Sequence, residues 1–467
     1  MERELVAGPL RCKFADGELR YIKLGDTELV RRVFFAVRTK TWDTLTPKLT
    51  HFDLSLTPGG FTISLEARCE RDAAGYDSEG AFAWSGKIEG KRDGTIVFTV
   101  TGAPTRDFET NRIGICVLFG TPTVCGQKYE VLGKEGPRTG IFPKFANAPL
   151  MFEPEFSELR SGKVRVSVSG DGIFSMEDQR NFADSSFKAY AVLPYAYPLL
   201  KKGEEYTQTV TIKPEGFLQA VKQRESQTTQ LVLGELVPGR TFPEIRMGST
   251  GERNWFHGIN HDREKAKAAE SISFAYFPVE HNYDDDTCWE NVPVIVELAE
   301  SARQFAPGKP IDIHHIALTL THPRPTPEPR NASPMGAAWA AVCLKYATLA
   351  GVRSATFDMG PGYANRVLKA LTPLVGKPIR SVSVNSTALI APVDAIGLGE
   401  SVIIVNKTGV RQQTTLEQLP AGKWEAVELH GQSPAGTLPE STAVRVSGGK
   451  TNLNLAPHEV RILTHKK

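Results

Sequence analysis

The segment SISFAYF at residues 271–277 is a short apolar run typical of a buried strand. It is followed by NVPVIVELAESARQFA at 291–306, which has helical periodicity, and then by the strand-like IDIHHIALTL at 311–320. The order repeats with a helix-like segment at 336–352 and the strand-like SATFDMG at 354–360. Alternating strands and helices are typical of parallel βα units, because parallel neighbours need a crossover connection. The central part of the chain is therefore predicted to contain a parallel sheet covered by helices.

On both sides of this region the sequence changes to alternating apolar and polar residues, the pattern of half-buried antiparallel strands. FTISLEARCE at 61–70 and KVRVSVSG at 163–170 precede it, and KWEAVELHG at 423–431 follows it. The predicted fold class is a multidomain α/β plus β protein. It has an N-terminal antiparallel β-sandwich, a central partial (β/α) barrel-like region and a C-terminal β-sandwich. The predicted boundaries of these domains are 1–230, 231–378 and 379–467.

The central region is predicted to be an incomplete barrel because it is short. A full (β/α)₈ barrel typically has about 250 residues. About four strands can be placed here, beginning with LVLGEL at 231–236. An open α/β layer is the alternative, and its exposed sheet edges would need to be covered.

Composition and charge narrow the class of protein. The 467 residues include 55 basic and 53 acidic ones, so the formal net charge is only +2. This balance gives no indication of nucleic acid or an anionic membrane as a partner. No apolar run approaches the roughly 18 residues that span a bilayer, and residues 1–14 lack the apolar core of a signal peptide. A cytoplasmic location is therefore predicted. The six cysteines have no CxxC spacing and indicate neither a zinc motif nor a disulfide framework.

Ionisable residues follow the predicted parallel strands. Six of the ten histidines lie in the window 257–322. Glu280 and His281 follow the first of the strands quoted above. His322 follows the second, and Asp358 comes at the end of the third. Ligands bind at the carboxyl ends of strands in such sheets. These groups are therefore predicted to gather at one edge, where clustered carboxylates shift one another's pKa values.

The sequence leaves structural interpretations of the same region open. The acidic run DDD at 284–286 can be a solvated loop. His314 and His315 are adjacent in a strand and are expected to point to opposite faces, which favours a core role for one of them. His257 and His261 have a spacing compatible with a metal pair on a helix, but no third ligand has a diagnostic spacing. No metal or other cofactor is therefore predicted.

A second polar stretch, SMEDQRNFADSSFKAY at 175–190, interrupts the alternating pattern of the N-terminal region. Two interpretations are open. One is a structural network in which Arg180 pairs with Asp178 or Asp184, and the other is a loop that faces a ligand. The side chains able to form ion pairs or hydrogen bonds are Glu177, Asp178, Gln179, Arg180, Asn181, Asp184 and Lys188.

The stretch at 175–190 resembles the D-apionate (D-apionolactone) lactonase family. NRIGICVLFG at 111–120, FHGINHDR at 256–263 and SISFAYFPVEHNYDDDTCWENV at 271–292 share the resemblance, which covers most of the chain in order. The resemblance implies an N-terminal β-sandwich, a glycosidase-like α/β barrel and a C-terminal β domain. It also implies hydrolysis of an aldonolactone ring in branched-sugar catabolism.

The resemblance extends to particular residues. EDQRN, from Glu177 to Asn181, matches the family's polar motif and is its most specific part. Pro278, His281 and Asp285 match a motif that follows a strand. At the end of the last barrel-like strand the resemblance implies a glutamate, whereas this chain has Asp358.

The predicted function is hydrolysis of a sugar-derived lactone. Glu280, His281 or Asp285 would activate water as a general base, and a second acid, Asp358 or Glu290, would protonate the leaving alkoxide. A histidine or Arg180 would polarise the carbonyl group. The residues predicted to bind the substrate are His257, His261, Asp284, His322, Arg180 and Asn181.

The sequence leaves two alternatives open. The first is a glycoside hydrolase with two carboxylates at the same edge of the sheet. The second is a non-catalytic sugar-binding or scaffold descendant with a degenerate barrel. The predicted partner is a small carbohydrate or sugar lactone, with neither nucleic acid nor membrane. A homodimer in which two partial barrels cover each other's edges is also left open.

Overall fold

The computed structural model describes residues 2–42, 44–72, 77–146, 148–193, 199–216, 228–248, 254–279, 281–318, 328–431 and 439–466. The chain divides into two compact units. The first comprises Met1–Gln179, Ser185–Gln223 and His281–Tyr283, and the second comprises Arg180–Asp184, Arg224–Glu280 and Asp284–Lys467. The domain boundaries placed at 230 and 378 from the sequence stay predictions.

The first unit is a β-sandwich. Its described residues form seventeen strands, and every pairing between them is antiparallel. The strands are β1 (Glu2–Ala7), β2 (Leu10–Ala15), β3 (Glu18–Leu24), β4 (Thr27–Thr39), β5 (Leu45–Thr57), β6 (Gly60–Asp72), β7 (Asp77–Gly90), β8 (Ile96–Pro104), β9 (Phe108–Gly120), β10 (Lys128–Gly133), β11 (Gly136–Ile141), β12 (Met151–Ser161), β13 (Val164–Gly170), β14 (Ile173–Asp178), β15 (Ser186–Val192), β16 (Leu199–Leu200) and β17 (Tyr206–Pro214). The short helix α1 (Thr121–Val124) follows β9, and a 3-10 helix (Gln179–Phe182) follows β14.

Pairing between the strands builds two layers. One layer runs from β5 through β6, β7, β8 and β17 to β13. β12 connects it to the other layer, which runs from β14 through β15, β9, β4, β3 and β2 to β1. The inward side chains alternate with outward ones, as in β8, and form one large core. Phe35 contacts Phe82 and Trp84 across this core, with ring centroids 5.7 and 5.4 Å apart. The predicted N-terminal sandwich is confirmed.

The second unit combines a parallel sheet with a larger, mostly antiparallel one. Its strands are β18 (Thr229–Thr241), β19 (Glu244–Met247), β20 (Ile272–Tyr276), β21 (Ile311–Ile316), β22 (Ser354–Phe357), β23 (Pro378–Ser386), β24 (Val393–Leu398), β25 (Ser401–Asn406), β26 (Gln412–Glu417), β27 (Lys423–Leu429), β28 (Thr442–Val444), β29 (Lys450–Leu455) and β30 (Val460–Lys466). Its helices are α2 (Phe256–His261), α3 (Arg263–Ala268), α4 (Asp285–Glu290), α5 (Val294–Phe305), α6 (Pro334–Ala350) and α7 (Tyr363–Leu371), with 3-10 helices at Pro329–Ala332 and Thr372–Leu374.

The parallel sheet has the strand order β19-β22-β21-β20 within the described part of the chain. In a closed (β/α)₈ barrel, each strand lies beside its neighbours in sequence and the first strand lies beside the last. Here β19 pairs with β22, the last strand, while β19 and β20 share no pairing among the described residues. Within the part of the chain that the structure describes, this is the order of a barrel that has its first and final strands but lacks the intervening ones. The predicted partial barrel is confirmed.

Helix α6 follows β21 and is specified locally at both ends. The side chain of Ser333 accepts a hydrogen bond from the backbone N–H of Gly336, and Pro334 occupies the first helical position. Gly351 ends the helix in the left-handed conformation, at φ +63°. Most residues between these ends are buried, including Trp339. The helix is therefore a core element of the second unit.

The prediction that 231–236 forms the first strand of the parallel region is wrong. These residues belong to β18, which pairs with β23 and β26 in a nine-stranded sheet of the described residues. This sheet buries its own core, which includes Leu231, Leu233 and Ile404. The first parallel strand is instead β19, whose four residues are mostly exposed and have no apolar run to mark them.

Among the residues that the structure describes, no helix is both long and apolar enough to cross a membrane.

Gly114 is required by the packing of the sandwich. It lies in β9 at φ +154°, and a Cβ atom there would lie 1.8 Å from the backbone oxygen of Ala191. Because this oxygen belongs to the backbone, it cannot move aside as the end of a flexible side chain can. We expect Gly114→Ala to lower the free energy of unfolding by about 3 kcal/mol or more through steric overlap and backbone strain. Urea denaturation followed by circular dichroism measures this change.

Gly126→Ala is the matched control in the same unit. Gly126 has φ +73°, and a Cβ atom there would meet nothing within 4 Å. Its replacement should cost only the backbone strain, about 1–2 kcal/mol. Equal losses in the two variants would contradict the steric explanation for Gly114.

Candidate active site

The carboxyl edge of the parallel sheet brings a histidine and an aspartate together. His315 lies near the end of β21, and Asp358 directly follows β22. The imidazole Nε2 of His315 is 3.5 Å from Oδ2 of Asp358. His315 is buried, whereas the side chain of Asp358 is 41% exposed. The pair therefore offers a carboxylate that water can reach and an imidazole that lies beside it.

A β-bulge places His315 in this position. The register of β21 shifts by one residue against both neighbours, between His314 and Ile316 on the β22 side. His315 is the additional residue and has φ +73°, in the left-handed region. Bulges often re-aim a side chain next to an active site, and a left-handed non-glycine residue persists only where its surroundings impose it. The conformation of His315 therefore marks this edge as a functional candidate.

Aromatic side chains form one wall near the pair. The ring centroid of Phe277 is 6.2 Å from that of His315 and 5.7 Å from that of Trp255. Trp255 also contacts Phe182, with centroids 6.0 Å apart. Phe182 in turn stacks on His257 at 5.3 Å. An apolar wall of this kind can pack against the carbon skeleton of a small organic ligand.

His257 and His261, which were predicted to bind substrate, lie on α2. Their rings are 6.0 Å apart and nearly parallel. Burial, and secondly the neighbouring His261, lower the pKa of His257. His257 is therefore neutral at neutral pH. Within the described ranges no group of three histidine, cysteine, aspartate or glutamate side chains is arranged to bind a metal.

The acidic loop has different structural roles at successive positions. Asp284 caps α4, because its carboxylate accepts hydrogen bonds from the backbone N–H and the hydroxyl of Thr287 at 2.9 and 2.8 Å. Asp285 has a 67% exposed side chain and lies 2.9 Å from Nη1 of Arg330. Glu290 is the last residue of α4 and is half-buried. Glu280 and His322, also predicted at this edge, lie outside the described residues.

Arg330 and Asn331 support the carboxyl edge. Burial alone would lower the pKa of Arg330, but Cys288, Glu328 and Asp285 outweigh it and the pKa is raised. Asn331 accepts a hydrogen bond from the backbone N–H of Leu318 and donates one to its carbonyl oxygen, at 2.9 and 3.1 Å. The two residues thus position the acidic loop and the chain that leaves β21.

Part of the EDQRN motif belongs to the second unit, where its side chains are buried. Nη1 of Arg180 is 3.5 Å from Oε2 of Glu297 on α5. Asn181 accepts a hydrogen bond from the side chain of Asn260 at 2.9 Å. These are contacts of a structural network, and they add Glu297 as an ion-pair partner of Arg180. The pairing of Arg180 with Asp178 or Asp184 stays a prediction. The substrate-binding roles of Arg180 and Asn181 stay predictions.

The rest of the motif lies in the first unit, in a buried polar cluster. Glu177 forms an ion pair with Arg112 and accepts a 3.0 Å hydrogen bond from the amide of Gln179. Lys188, directly opposite Glu177 on β15, donates to Oε1 of Gln179 at 2.9 Å. No catalytic role is predicted for Glu177, Gln179 or Lys188.

His281, a predicted general base, also belongs to the first unit, and its carbonyl oxygen lies 3.4 Å from Oγ1 of Thr44.

The charges in this cluster influence one another strongly. Burial would raise the pKa of Glu177, but Lys188 and Arg112 outweigh it and the pKa is lowered. Burial first, and Arg38 second, lower the pKa of Lys188 to about 8. Glu177 is therefore ionised at neutral pH, and Lys188 loses its proton more easily than an ordinary lysine.

Comparison with known proteins identifies the family. Residues 1–216 match the N-terminal domain of D-apionate lactonase, and residues 236–367 match its TIM-barrel domain. The chain belongs to the D-apionate lactonase family. A curated D-apionate lactonase from Brucella anthropi is 32% identical over 207 residues, which are 42% of this chain and 32% of that protein. The match thus spans about a third of the length of this relative.

Several solved structures are similar over about half of the chain. The bifunctional glucanase–xylanase CelM2 from a metagenome library has 15% identity and a TM-score of 0.33. The similar region covers 44% of this chain and 46% of the CelM2 chain. A glycoside hydrolase family 44 xyloglucanase from Paenibacillus polymyxa has 10% identity and a TM-score of 0.33. The similar region covers 45% of this chain and 50% of the xyloglucanase chain. TM-scores this low carry no argument about the site.

Within the D-apionate lactonase family, this chain has a short barrel domain. The matched range 236–367 includes all four parallel strands, β19 to β22, and the helices between them. The predicted resemblance and the shortened barrel are both confirmed. The catalytic assignments to Asp285, Asp358 and Glu290 stay predictions.

Sequence reasoning missed His315 and Arg330 as site residues. A regular strand would place His315 in the core, and only the bulge brings it beside Asp358. The doubled histidine inside an apolar strand was the available signal. Arg330 lies beyond the proline-rich segment and carries no motif, so its pairing with Asp285 could be found only from the structure.

The pKa of Lys188 leads to a prediction about stability and pH. Its pKa is about 8 in the folded chain, against an ordinary value of 10.5. Between these values the unfolded chain binds a proton that the folded chain does not, so stability contributed by Lys188 rises with pH. From about pH 7 to about pH 10, the free energy of unfolding of the wild type should rise by about 2.5 kcal/mol relative to that of Lys188→Met.

Urea denaturation of both proteins at the two pH values measures this difference, in which the effects of other titrating groups cancel. Lys128→Met, which replaces an exposed lysine on β10, is the control and should show no such change. A constant difference between wild type and Lys188→Met at both pH values would contradict the lowered pKa.

Proposed function

We propose that this chain is a hydrolase that opens the ring of a sugar lactone. Membership of the D-apionate lactonase family supports this reaction class. The single structural observation that supports it most is the approach of His315 to Asp358, 3.5 Å apart at the carboxyl edge of the parallel sheet. The lactone of D-apionate, the compound in the relative's name, is the first substrate to test.

Lactone hydrolysis requires two proton transfers. Water attacks the carbonyl carbon and gives a proton to a base. The C–O bond of the ring then breaks, and the ring oxygen takes up a proton as it becomes a hydroxyl group. The product is an open hydroxy acid, which releases a proton at neutral pH. A group that first accepts and then donates a proton can serve both steps.

The His315–Asp358 pair has the composition for this role. Asp358 is the member exposed to water, and His315 lies behind it. A proton taken from water can pass within the pair and return to the ring oxygen. We assign proton transfer to this pair, with Asp358 as the member that meets the substrate.

Asp285 is the second proposed catalytic group. Its carboxylate is exposed and lies 2.9 Å from Nη1 of Arg330. An ionised carboxylate at this position can accept a proton from water. Glu290, Glu280 and His281 remain proposed alternatives for the same chemistry. His257, His261, Asp284, His322, Arg180 and Asn181 remain proposed substrate contacts.

Replacement of Asp358 or His315 tests the assignment. Asp358→Asn and His315→Gln should each lower kcat/KM for lactone hydrolysis by about 10²–10⁴-fold, because each removes a group that transfers protons in the transition state. The assay follows proton release from a panel of aldonolactones, including the D-apionate lactone, with a pH indicator. Thermal unfolding of each variant checks that the fold is intact.

Two neighbouring residues supply matched controls. His314→Gln changes the adjacent histidine of β21, and Asp286→Asn changes an aspartate in the first turn of α4. Both should keep activity within about threefold of the wild type. Full activity in Asp358→Asn and His315→Gln would remove the pair from the mechanism. A folded wild type without activity on any lactone would favour the non-catalytic alternative.

A further inference from the structure

The outer face of one sandwich layer carries a cluster of buried charges that lactone chemistry at the parallel sheet does not use. We call Arg38, Arg112, Lys188 and Glu177 the sandwich cluster. They lie on β4, β9, β15 and β14, which pair with one another in the order β4-β9-β15-β14. Buried Phe34, Cys116 and Tyr190 form an apolar patch on the same face. The cluster is thus built on four adjacent strands, a rigid support.

The sandwich cluster has more positive than negative charge. The charged groups that most strongly affect Glu177 are Lys188, Arg112 and Arg38. The same two arginines and Glu177 act on Lys188, together with the Cys116 thiol. Burial raises the pKa of that thiol to about 11, so it is neutral at neutral pH. Three cations therefore face one carboxylate.

The excess of positive charge lowers the stability of the folded state unless an anion balances it. Burying a charge disfavours the folded state unless the charge is paired. Glu177 already accepts from Arg112 and Gln179, and lies 3.9 Å from Nζ of Lys188. Arg38 is only 3% exposed, and its Nη1 donates a hydrogen bond to the carbonyl oxygen of Trp42 at 3.3 Å. Its Nε has no hydrogen-bond partner among the described residues.

Arg112 is the member of the cluster that solvent reaches most. The side chain of Arg112 is 21% exposed, and its guanidinium carbon lies 5.3 Å from the ring centroid of Trp42. Trp42 is 49% exposed. An exposed indole ring beside a guanidinium group presents an apolar face next to a bidentate hydrogen-bond donor. The carbon chain and the acid group of one small molecule fit these two features.

We propose that the sandwich cluster binds a sugar acid, with its carboxylate on Arg112 and Lys188 and its hydroxylated chain against Trp42. Glu177 and Gln179 supply hydrogen-bond acceptors for the hydroxyl groups of the sugar chain. An inorganic anion has no such chain of hydroxyl groups. The excess of positive charge favours a ligand that carries a carboxylate. The inference concerns binding in the first unit and does not depend on where lactones are hydrolysed.

Isothermal titration with D-gluconate as the probe tests the proposal on the full chain. The wild type should bind one gluconate with Kd below about 1 mM, a modest affinity for a small ligand. Sorbitol, which has the hydroxyl groups without the carboxylate, should bind at least about tenfold more weakly, because it makes no charged hydrogen bonds. Inorganic phosphate that binds as tightly as gluconate would overturn the sugar-acid assignment.

Two variants should change the affinity in opposite directions. Arg112→Met should weaken gluconate binding at least about tenfold by removing a charged donor. Glu177→Gln should tighten it by about threefold or more by removing the repulsion of the carboxylate. Tighter binding cannot result from unfolding, so Glu177→Gln keeps the test valid even where Arg112→Met lowers stability.

Arg165→Met is the matched control, since Arg165 also pairs with glutamates on the sandwich, at Glu158 and Glu215. It should bind gluconate as the wild type does. Unchanged affinity in both Arg112→Met and Glu177→Gln would overturn the proposal. Binding is measured without turnover, so a chain that binds gluconate but opens no lactone contradicts only the proposed function. A chain that opens lactones but does not bind gluconate contradicts only the sandwich site.

Discussion

The pairing of β19 with β22 is the constraint on which the parallel region depends. It places the first parallel strand beside the last, so that four strands form one sheet. Among the described residues, the strands that a complete barrel would have between β19 and β20 are absent. All four run in the same direction, and their carboxyl ends therefore meet at one edge. Trp255 forms a single parallel bridge to Ala275 beside β20, which is the other border of the sheet. A short barrel thus keeps the edge at which such folds carry out chemistry.

At that edge the backbone departs from regular geometry. One additional residue in β21 interrupts the pairing on both sides and puts His315 in a left-handed conformation. Such a conformation costs free energy that the surrounding structure must offset. The result is an imidazole next to the carboxylate of Asp358, which follows β22 without any intervening loop. A regular strand would not bring these two groups to the same place.

Buried charge is the second theme of the molecule. Exposed ion pairs such as Lys40–Glu109 contribute little, because water screens them. The charges around Glu177 are buried, and there the balance of cations and carboxylates affects both the pKa of Lys188 and the free energy of folding. The division of EDQRN between the two units explains why its sequence pattern was ambiguous. Arg180 and Asn181 belong to a packed network, whereas Glu177 and Gln179 belong to the sandwich cluster.

The sequence by itself determined the sandwich, the βα order and the family, because periodicity, turn residues and EDQRN are local signals. It also placed Asp358 at a strand end. It did not reveal β19, whose four mostly exposed residues have no pattern, or the pairing of β18 with the strands near the C-terminus. Only the tertiary structure decided that His315 meets Asp358, that Arg330 meets Asp285 and that Lys188 is buried opposite Glu177. Each of these contacts joins residues from different elements of the chain, and the contact of His315 also depends on a bulge. The strengths of the contacts depend on burial, which no local sequence pattern specifies.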